Sequence, residues 1–301
     1  MSSLELPTRA APRDERLLVL AAVAACMLVW ASAFIGIRSA GRSFSPGALA
    51  LGRLAVGSLV LGVVAAVRRV RLPRGRALAA TVLCGVAWFA LYNVALNAAE
   101  RRIDAGVAAM LVNVGPILIA LLAGAVLREG FPRRLFGGCV VSFGGAAIIG
   151  LAVSRHGVNE LWGAVLCVAA ALAYAVGVVS QKPVLREVSP LSVTWLACTV
   201  GTIACLPFAP ALVHEAAHAR GSALAWTVYL GAAPTALGFV TWAYALARTP
   251  AGRMGSTTYL VPPLAILLGW IMLGEVPPLL ALPGGALCLA GVGLARSRPR
   301  R

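Results

Sequence analysis

The chain has 301 residues, of which 60% are hydrophobic and 12% are charged, and its formal net charge is +16. Soluble globular domains carry about 25% charged residues, so this composition, with a mean hydropathy of +0.89, excludes a water-soluble globular protein. A hydrocarbon layer about 30 Å thick is crossed by roughly 20 apolar residues in an α-helix. We therefore predict an all-α polytopic membrane protein.

Ten segments of suitable length and polarity follow one another along the chain, joined by short polar loops. We number them as spans one to ten: 17–37, 46–67, 77–98, 105–127, 135–152, 161–180, 190–209, 223–246, 253–273 and 279–295. Span seven is the least regular, because Ser, Thr and Pro interrupt its apolar run. The continuous runs rich in Leu and Ala favour helices over the short alternating strands of a membrane β-barrel.

The positive charge is distributed unevenly over the loops. With the N-terminus placed in the cytoplasm, nineteen Lys and Arg residues fall inside, six fall outside and Arg53 lies within span two. Such a bias in short loops sets the orientation of a membrane protein. The sequence thus predicts a multi-pass protein of the inner membrane whose tails, 1–16 and 296–301, are both cytoplasmic. The bias explains the basic charge without a nucleic-acid partner.

Two stretches of the chain resemble each other at a distance of 146 residues. They read NVGPILIALLAGAVLRE at 113–129 and YLVPPLAILLGWIMLGE at 259–275, and each has a glutamate thirteen residues after its first proline. A serine-proline pair opens span two at 45–46 and span seven at 189–190, an offset of 144. These echoes indicate an internal duplication.

The duplication extends to the first span of each half. At the offset of 144, Trp30 and Arg38 correspond to Tyr174 and Lys182. We predict two five-helix repeats, and because each holds an odd number of spans, the second lies inverted in the bilayer. Inverted repeats are typical of carriers that give alternating access to a central site. The predicted repeats cover 17–152 and 161–295.

Proline occurs near the middle of spans four and nine, as Pro116 and Pro262. A proline inside a helix leaves the carbonyl four residues earlier without its partner. Paired interruptions at corresponding depths indicate a substrate site, although two packing kinks explain them equally well. The glutamates of the repeated stretch, Glu129 and Glu275, fall at helix ends, where we interpret them as gates or anchors.

These residues resemble the drug/metabolite transporter superfamily, in its ten-helix form built from two EamA-type domains. The resemblance rests on VWASAFIGIR in span one, ALGRLAV in span two, the proline-to-glutamate stretches and the glycine-rich GGALCLAGVGLA of span ten. It covers roughly 17–295. It implies a central cavity lined mainly by spans one, three, four, six, eight and nine, and export of small metabolites such as amino acids, or of drugs.

Arg53 lies about seven residues inside span two, where an unpartnered arginine costs roughly 2.5–3.5 kcal/mol. It either faces the cavity and binds a carboxylate or phosphate of the substrate, or snorkels outward or caps freed carbonyls of a neighbouring helix. The corresponding residue of the second repeat is Ala197, so the two halves differ in charge here.

Polar and aromatic residues on the predicted lining spans complete the candidate substrate site, together with the two prolines. They are Trp30, Tyr92, Asn93, Asn97, Asn113, Pro116, Tyr174, Trp242, Tyr244, Thr258, Tyr259 and Pro262. An unpaired amide in lipid is expensive, so the asparagines are expected to face protein or cavity water. Helix-to-helix hydrogen bonding explains them as well as substrate contact does, and aromatic residues near span ends are often interfacial anchors.

The sequence gives no sign of an energy-coupling group. All ten acidic residues lie at span ends, in loops or in the N-terminal tail, whereas proton-driven carriers often use a buried carboxylate. There is no GxxxxGK[ST] phosphate loop, so ATP is not an expected energy source, and we predict no cofactor. The oligomeric state stays open.

An alternative function is suggested by VHEAAHAR at 213–220, which contains HExxH. On a helix, His214 and His218 share one face for zinc and Glu215 activates a water, as in metalloproteases. We predict instead a short external loop with scant room for such a helix and no third ligand close behind. A channel or a non-transporting membrane protein is a further alternative. The sequence favours a secondary carrier, not an enzyme, that exports small metabolites.

Overall fold

The computed structural model describes residues 13–127, 158–276 and 279–296, with scattered positions between 134 and 151. Within these ranges all regular structure is helical. Six described helices are long and apolar enough to cross a membrane, or seven if one bent pair is a single span. The all-α polytopic membrane protein is thereby confirmed. The count of ten stays a prediction, and span five falls largely outside the described residues.

The other predicted spans correspond to helices with the following bounds. Spans one to three are Arg13–Ala40, Pro46–Val67 and Gly75–Ala99, and span four is Ala105–Val112 with Gly115–Val126. Spans six and eight are Val158–Val184 and Gly221–Arg248. Span nine consists of Ala251–Gly255, the 3-10 turn Ser256–Leu260 and Val261–Leu273, and span ten is Ala281–Arg296.

Local sequence explains where several of these helices begin and end. Spans two and seven start with a serine at the N-cap and a proline in the first turn, where proline's missing N–H is not needed. At span seven the Ser189 Oγ accepts a hydrogen bond of 3.2 Å from the Ser192 N–H. Span nine ends at Gly274, whose φ of +69° is the left-handed conformation that glycine adopts at helix ends.

Span seven differs from its prediction. Helix Pro190–Ala204 continues through the 3-10 turn Leu206–Phe208 into helix Ala209–His218, at an angle of 51°. The predicted polar loop is wrong here, because the HExxH stretch forms the end of a ten-residue helix. The reason lies in its composition: Pro210 sits in the first turn, and the alanines and leucine that follow are strong helix formers.

Both mid-span prolines follow a helix interruption. In span four, residues 113 and 114 separate two α-helical segments. In span nine, a 3-10 segment precedes the helix that begins at Val261. Pro116 and Pro262 each occupy the first turn of the segment that follows. The interruptions predicted from the prolines are therefore present in both halves.

Spans three and eight each contain a π-helical segment, Gly85–Leu91 and Gly231–Leu237, at positions 146 residues apart. Each segment starts at a glycine pressed against a neighbouring helix. A Cβ at Gly85 would lie 2.6 Å from the carbonyl oxygen of Ala197, and one at Gly231 would lie 2.6 Å from that of Arg53. Residues 53 and 197 are themselves repeat equivalents, so the two halves share this close contact.

The halves pack onto each other in a matched way. Span one packs against spans eight and nine, and span six packs against spans three and four. Span two contacts spans seven and eight, while span seven contacts spans two and three. Because each half supplies the same surfaces to the other, the core lies between them rather than within either one.

Candidate functional site

A cavity of about 50 Å³ lies between the two halves. One water molecule needs about 10–15 Å³ of such volume, so the cavity has room for a few water molecules. The cavity is therefore narrow in this conformation. Six of the residues chosen from the sequence line it: Trp30, Arg53, Tyr92, Asn113, Tyr174 and Thr258. They come from spans one, two, three, four, six and nine, and span eight adds Phe239.

The interruptions of spans four and nine both open onto this cavity. Asn113 lies in the break of span four, and Thr258 lies in the 3-10 segment of span nine. The Thr258 hydroxyl donates to the Gly255 carbonyl at 2.7 Å and lies 3.4 Å from the Asn113 Oδ1. The two breaks therefore place polar groups from both halves side by side in an apolar interior.

Arg53 is buried at the cavity wall, with 3% of its surface exposed. Its Nε donates to the Thr235 Oγ1 at 3.2 Å, and this is its one hydrogen bond within the described part of the chain. A guanidinium carries five N–H donors, so most of the Arg53 donors have no hydrogen-bond partner within the described part of the chain. The side chain is thus buried at the cavity wall and bonded to span eight, and it is not directed to the surface in this conformation.

Aromatic rings form much of the cavity wall. Trp30 stacks on Trp242 with 5.0 Å between ring centroids, and it meets the edge of Trp88 at 6.0 Å. Trp88 in turn lies 5.0 Å from Tyr174 and 4.7 Å from Phe239. The Trp30 N–H donates to the Pro234 carbonyl at 3.1 Å, in the π-helical segment of span eight. This bond fixes the ring's orientation.

The sequence missed several members of this wall. Phe34, Trp88 and Phe239 line the cavity but were not among the candidates. Trp88 lies four residues before Tyr92, and Phe239 lies three before Trp242. Residues three or four apart share one face of a helix, so the candidates on spans three and eight pointed to both.

Other candidates lie away from the cavity. Asn93 and Asn97 are buried and donate to the carbonyls of Phe89 at 2.7 Å and Pro46 at 3.0 Å. Both side chains therefore face protein, and the Asn97 bond joins span three to the start of span two.

Trp242 is fully buried behind Trp30. Tyr244 lies under the Arg248 guanidinium, 3.8 Å from its ring centroid. Pro116 is buried in span four, and Pro262 borders a separate apolar crevice beside span ten. The Tyr259 side chain and Glu129 fall outside the described residues.

Arg38 joins three spans at the predicted outer end. Its Nε donates to the Glu275 Oε1 at 2.5 Å, and its Nη1 donates to the Glu100 backbone carbonyl. Asp104 adds an ion pair at 3.6 Å. The Glu275 Oε2 accepts the Ala105 N–H at 3.0 Å, at the start of span four. This cluster ties spans one, four and nine together above the cavity.

Lys182 makes the equivalent contacts at the other end of the bundle. Its Nζ donates to the carbonyls of Leu246 at 2.5 Å and Thr249 at 2.7 Å. These residues lie 146 positions after Glu100 and Ile103, whose carbonyls accept from Arg38. The basic end of the first span in each half thus holds the turn between the third and fourth spans of its own half.

The HExxH stretch has a structural partner. The Glu215 carboxylate accepts hydrogen bonds from the Ser45 N–H at 2.8 Å and hydroxyl at 3.2 Å, which caps span two. The imidazole rings of His214 and His218 lie 4.9 Å apart. Among the residues that the structure describes, no third His, Cys, Asp or Glu joins them to form a metal site.

Comparison with known proteins gives matches over nearly the whole chain. The model of the EamA-like transporter family matches residues 17–151 and 161–297. A probable terminal-alkyne amino-acid exporter of Streptantibioticus cattleyicolor is 40% identical over 90% of this chain and 91% of its own. The uncharacterized transporter YdfC of Bacillus subtilis is 33% identical over 88% and 86%.

Two further matches are more distant. A probable amino-acid metabolite efflux pump of Salmonella typhimurium is 25% identical over 62% of this chain and 66% of its own. One crystal structure, 19% identical, superposes with a TM-score of 0.65 and covers 94% of this chain and 96% of that chain. At that identity it supports the fold alone.

Proposed function

The chain belongs to the EamA-like transporter family of small-molecule carriers, and from this premise we propose that it exports amino acids with apolar side chains by alternating access. The main support for this proposal is that Arg53 and several aromatic rings line the same buried cavity. The substrate carboxylate pairs with the free N–H donors of Arg53, as guanidinium groups bind carboxylates in a bidentate manner.

The rest of the cavity suits the rest of an amino acid. Ring faces of Trp30, Trp88 and Tyr174 attract an ammonium group by cation–π interaction, and the Asn113 Oδ1 offers it an acceptor. Phe34 and Phe239 provide apolar surface for the side chain. The printed names of two relatives, an exporter and an efflux pump for amino-acid compounds, support the same substrate class.

Alternating access is proposed from the matched packing of the two halves. The cavity is narrow and lies beneath the Arg38–Glu275 contact, as expected of a state closed at that end. Opening requires the contact to separate, while Lys182 and its carbonyl partners hold the opposite end. The same proposal places the protein in the inner membrane with both termini in the cytoplasm and its repeats inverted.

Counterflow in liposomes tests this function. Purified protein is reconstituted into vesicles loaded with an unlabelled apolar amino acid, and entry of the labelled compound is followed. We expect saturable uptake that other apolar amino acids inhibit and that the corresponding amines, which lack the carboxylate, do not. Flux that rises linearly with concentration indicates a channel and contradicts the proposal.

A matched pair of tryptophan variants links the flux to the cavity. Trp30→Ala removes a cavity wall, and we expect it to abolish saturable uptake. Trp270→Ala removes a side chain that is 61% exposed on the outer surface of span nine, and we expect uptake to continue. Equal losses in the two folded variants would move the substrate site away from the cavity.

A further inference from the structure

We propose that Glu100 is the proton-binding group of the transport cycle, and that uptake of one proton there accompanies closure of the outer end. This inference rests on the proposed carrier function and adds its driving ion. Glu100 is the residue directly after span three, and 1% of its surface is exposed. Neither carboxyl oxygen has a hydrogen-bond partner among the described residues.

An ionised carboxylate in such surroundings is expensive, because it has lost water and gained no donor in exchange. Burial raises the pKa of Glu100 well above its ordinary value, and Glu275 acts in the same direction. Arg38 and Arg53 act in the opposite direction but do not overcome burial. The neutral acid is therefore the form that fits the closed conformation.

The charged and titratable groups around the carboxyl come from every side of the outer end. They are Arg38 of span one, Arg53 of span two, Tyr92 of span three, Cys167 of span six and Glu275 after span nine. Asp104 is paired with Arg38 and completes the set. The carboxyl thus lies between the Arg38 cluster and the wall of the substrate cavity.

The cluster connects the proton to the conformation. Arg38 donates through its guanidinium to the Glu100 backbone carbonyl and to the Glu275 carboxylate, so separating these groups uncovers Glu100. Water then reaches the carboxyl, which ionises by releasing its proton to that water. Closure requires the carboxylate to take a proton back from the outside solution, since the buried site does not stabilise the charge.

This exchange gives a defined direction of coupling. The empty carrier closes at its outer end with one proton on Glu100. When the inner end opens, cytoplasmic water fills the cavity whose wall the carboxyl adjoins, and Glu100 releases its proton to that water. The substrate then binds from the cytoplasm, and the ionised carboxylate favours opening of the outer end. One proton enters for each substrate exported, and no other reactant is needed.

Glu100→Gln tests the proposal in reconstituted vesicles, with Glu187→Gln as the control for an exposed carboxyl. Glutamine stays neutral in both conformations, so counterflow continues. Accumulation driven by a pH gradient should fall to the level of vesicles without a gradient. The Glu187 variant should keep both activities. Gradient-driven accumulation that persists in Glu100→Gln overturns the proton site and leaves the carrier function intact.

Two further outcomes are decisive. Loss of counterflow in folded Glu100→Gln assigns the side chain to substrate binding and overturns the coupling role. Absence of saturable counterflow in the unaltered protein contradicts the carrier function itself. Difference infrared spectra give a readout that needs no transport: a protonated carboxyl band that disappears as the pH rises should be present in the unaltered protein and missing in Glu100→Gln. Identical spectra contradict the proposal.

Discussion

Arg53 combines burial, positive charge and free donors at the cavity wall. Hydrogen bonds to charged groups contribute about 1.5–3 kcal/mol, which corresponds to roughly 10–100-fold in affinity. We therefore expect Arg53→Ala to weaken amino-acid binding by about that factor, and Arg53→Lys to restore part of it because the charge returns without the planar fork. Binding is measured on the purified variants by competition with a labelled amino acid.

An amine without a carboxylate is the matched ligand for this test. Its affinity should be the same for the unaltered protein and for Arg53→Ala. If the amine and the amino acid lose affinity equally, Arg53 shapes the cavity and does not bind the carboxylate.

Glu100 gives the protein a pH-dependent stability. Its pKa is raised in the folded state by burial, so the folded protein holds a proton that the unfolded chain has released above a pH of about 4.3. The free energy of unfolding should therefore fall as the pH rises from that value through the raised folded-state pKa. Thermal unfolding of detergent-solubilised protein across this range measures the effect. Glu100→Gln should remove it, and an unchanged slope would contradict the assignment.

Sequence reasoning identified Arg53 and passed over Glu100 for a physical reason. Arg53 stands out because a charge within an apolar run has no water nearby. Glu100 sits at a span end and precedes Arg101 and Arg102, which makes it resemble a solvated loop residue. It is buried beside Arg38 and Glu275, which are distant in the chain, so no local sequence pattern indicates that it is buried.

At the scale of helix pairs, glycine permits the contact between spans two and eight. A Cβ at Gly231 would lie 2.5 Å from the Val56 Cβ and 2.6 Å from the Arg53 carbonyl oxygen. Overpacking of a close contact costs about 1–3 kcal/mol, so Gly231→Ala should lower the unfolding temperature. Gly221→Ala is the control, because no atom lies within 4 Å of the added group. Equal stability of the two variants would contradict the packing described.

The Arg38–Glu275 contact is expected to hold the outer end closed. The Glu275 side chain is 13% exposed and bonds at 2.5 Å, so Glu275→Gln should destabilise the closed state by about 2 kcal/mol. A reactive thiol placed near Glu100 should then be labelled faster from outside. Glu15 and Arg248 form an exposed pair, 42% and 36% exposed, and such pairs contribute about 0–1 kcal/mol. Glu15→Gln should therefore leave labelling unchanged.

Helix interruptions were predictable from sequence where proline marks them, and less so elsewhere. Pro116 and Pro262 indicated the breaks in spans four and nine correctly. The π-helical segments of spans three and eight have no shared proline that would indicate them. They depend on the packing of a glycine against a helix of the other half. The helix at the end of span seven was also missed, because its polar residues suggested a loop. One of them, Glu215, instead caps span two through the Ser45 N–H, a contact between residues distant in the chain.

For the whole molecule, comparing the two halves of the sequence predicted equivalent contacts that neither half predicts alone. The offsets of 144 and 146 residues reappear as matched contacts: Arg38 and Lys182 hold equivalent turns, and Gly85 and Gly231 meet equivalent carbonyls. The cavity lies where these matched surfaces meet. Its polar groups are not matched, because Arg53 has Ala197 as its equivalent.

Thiol labelling from each side of the membrane tests whether the cavity opens alternately to the two sides. Ala33 lines the cavity and is 7% exposed, so Ala33→Cys, in a variant lacking the seven native cysteines, places a small reporter there. A membrane-impermeant reagent should label it slowly from either side, and a transported amino acid should protect it from both. Labelling from one side only, or labelling that substrate leaves unchanged while transport continues, would contradict alternating access to this cavity.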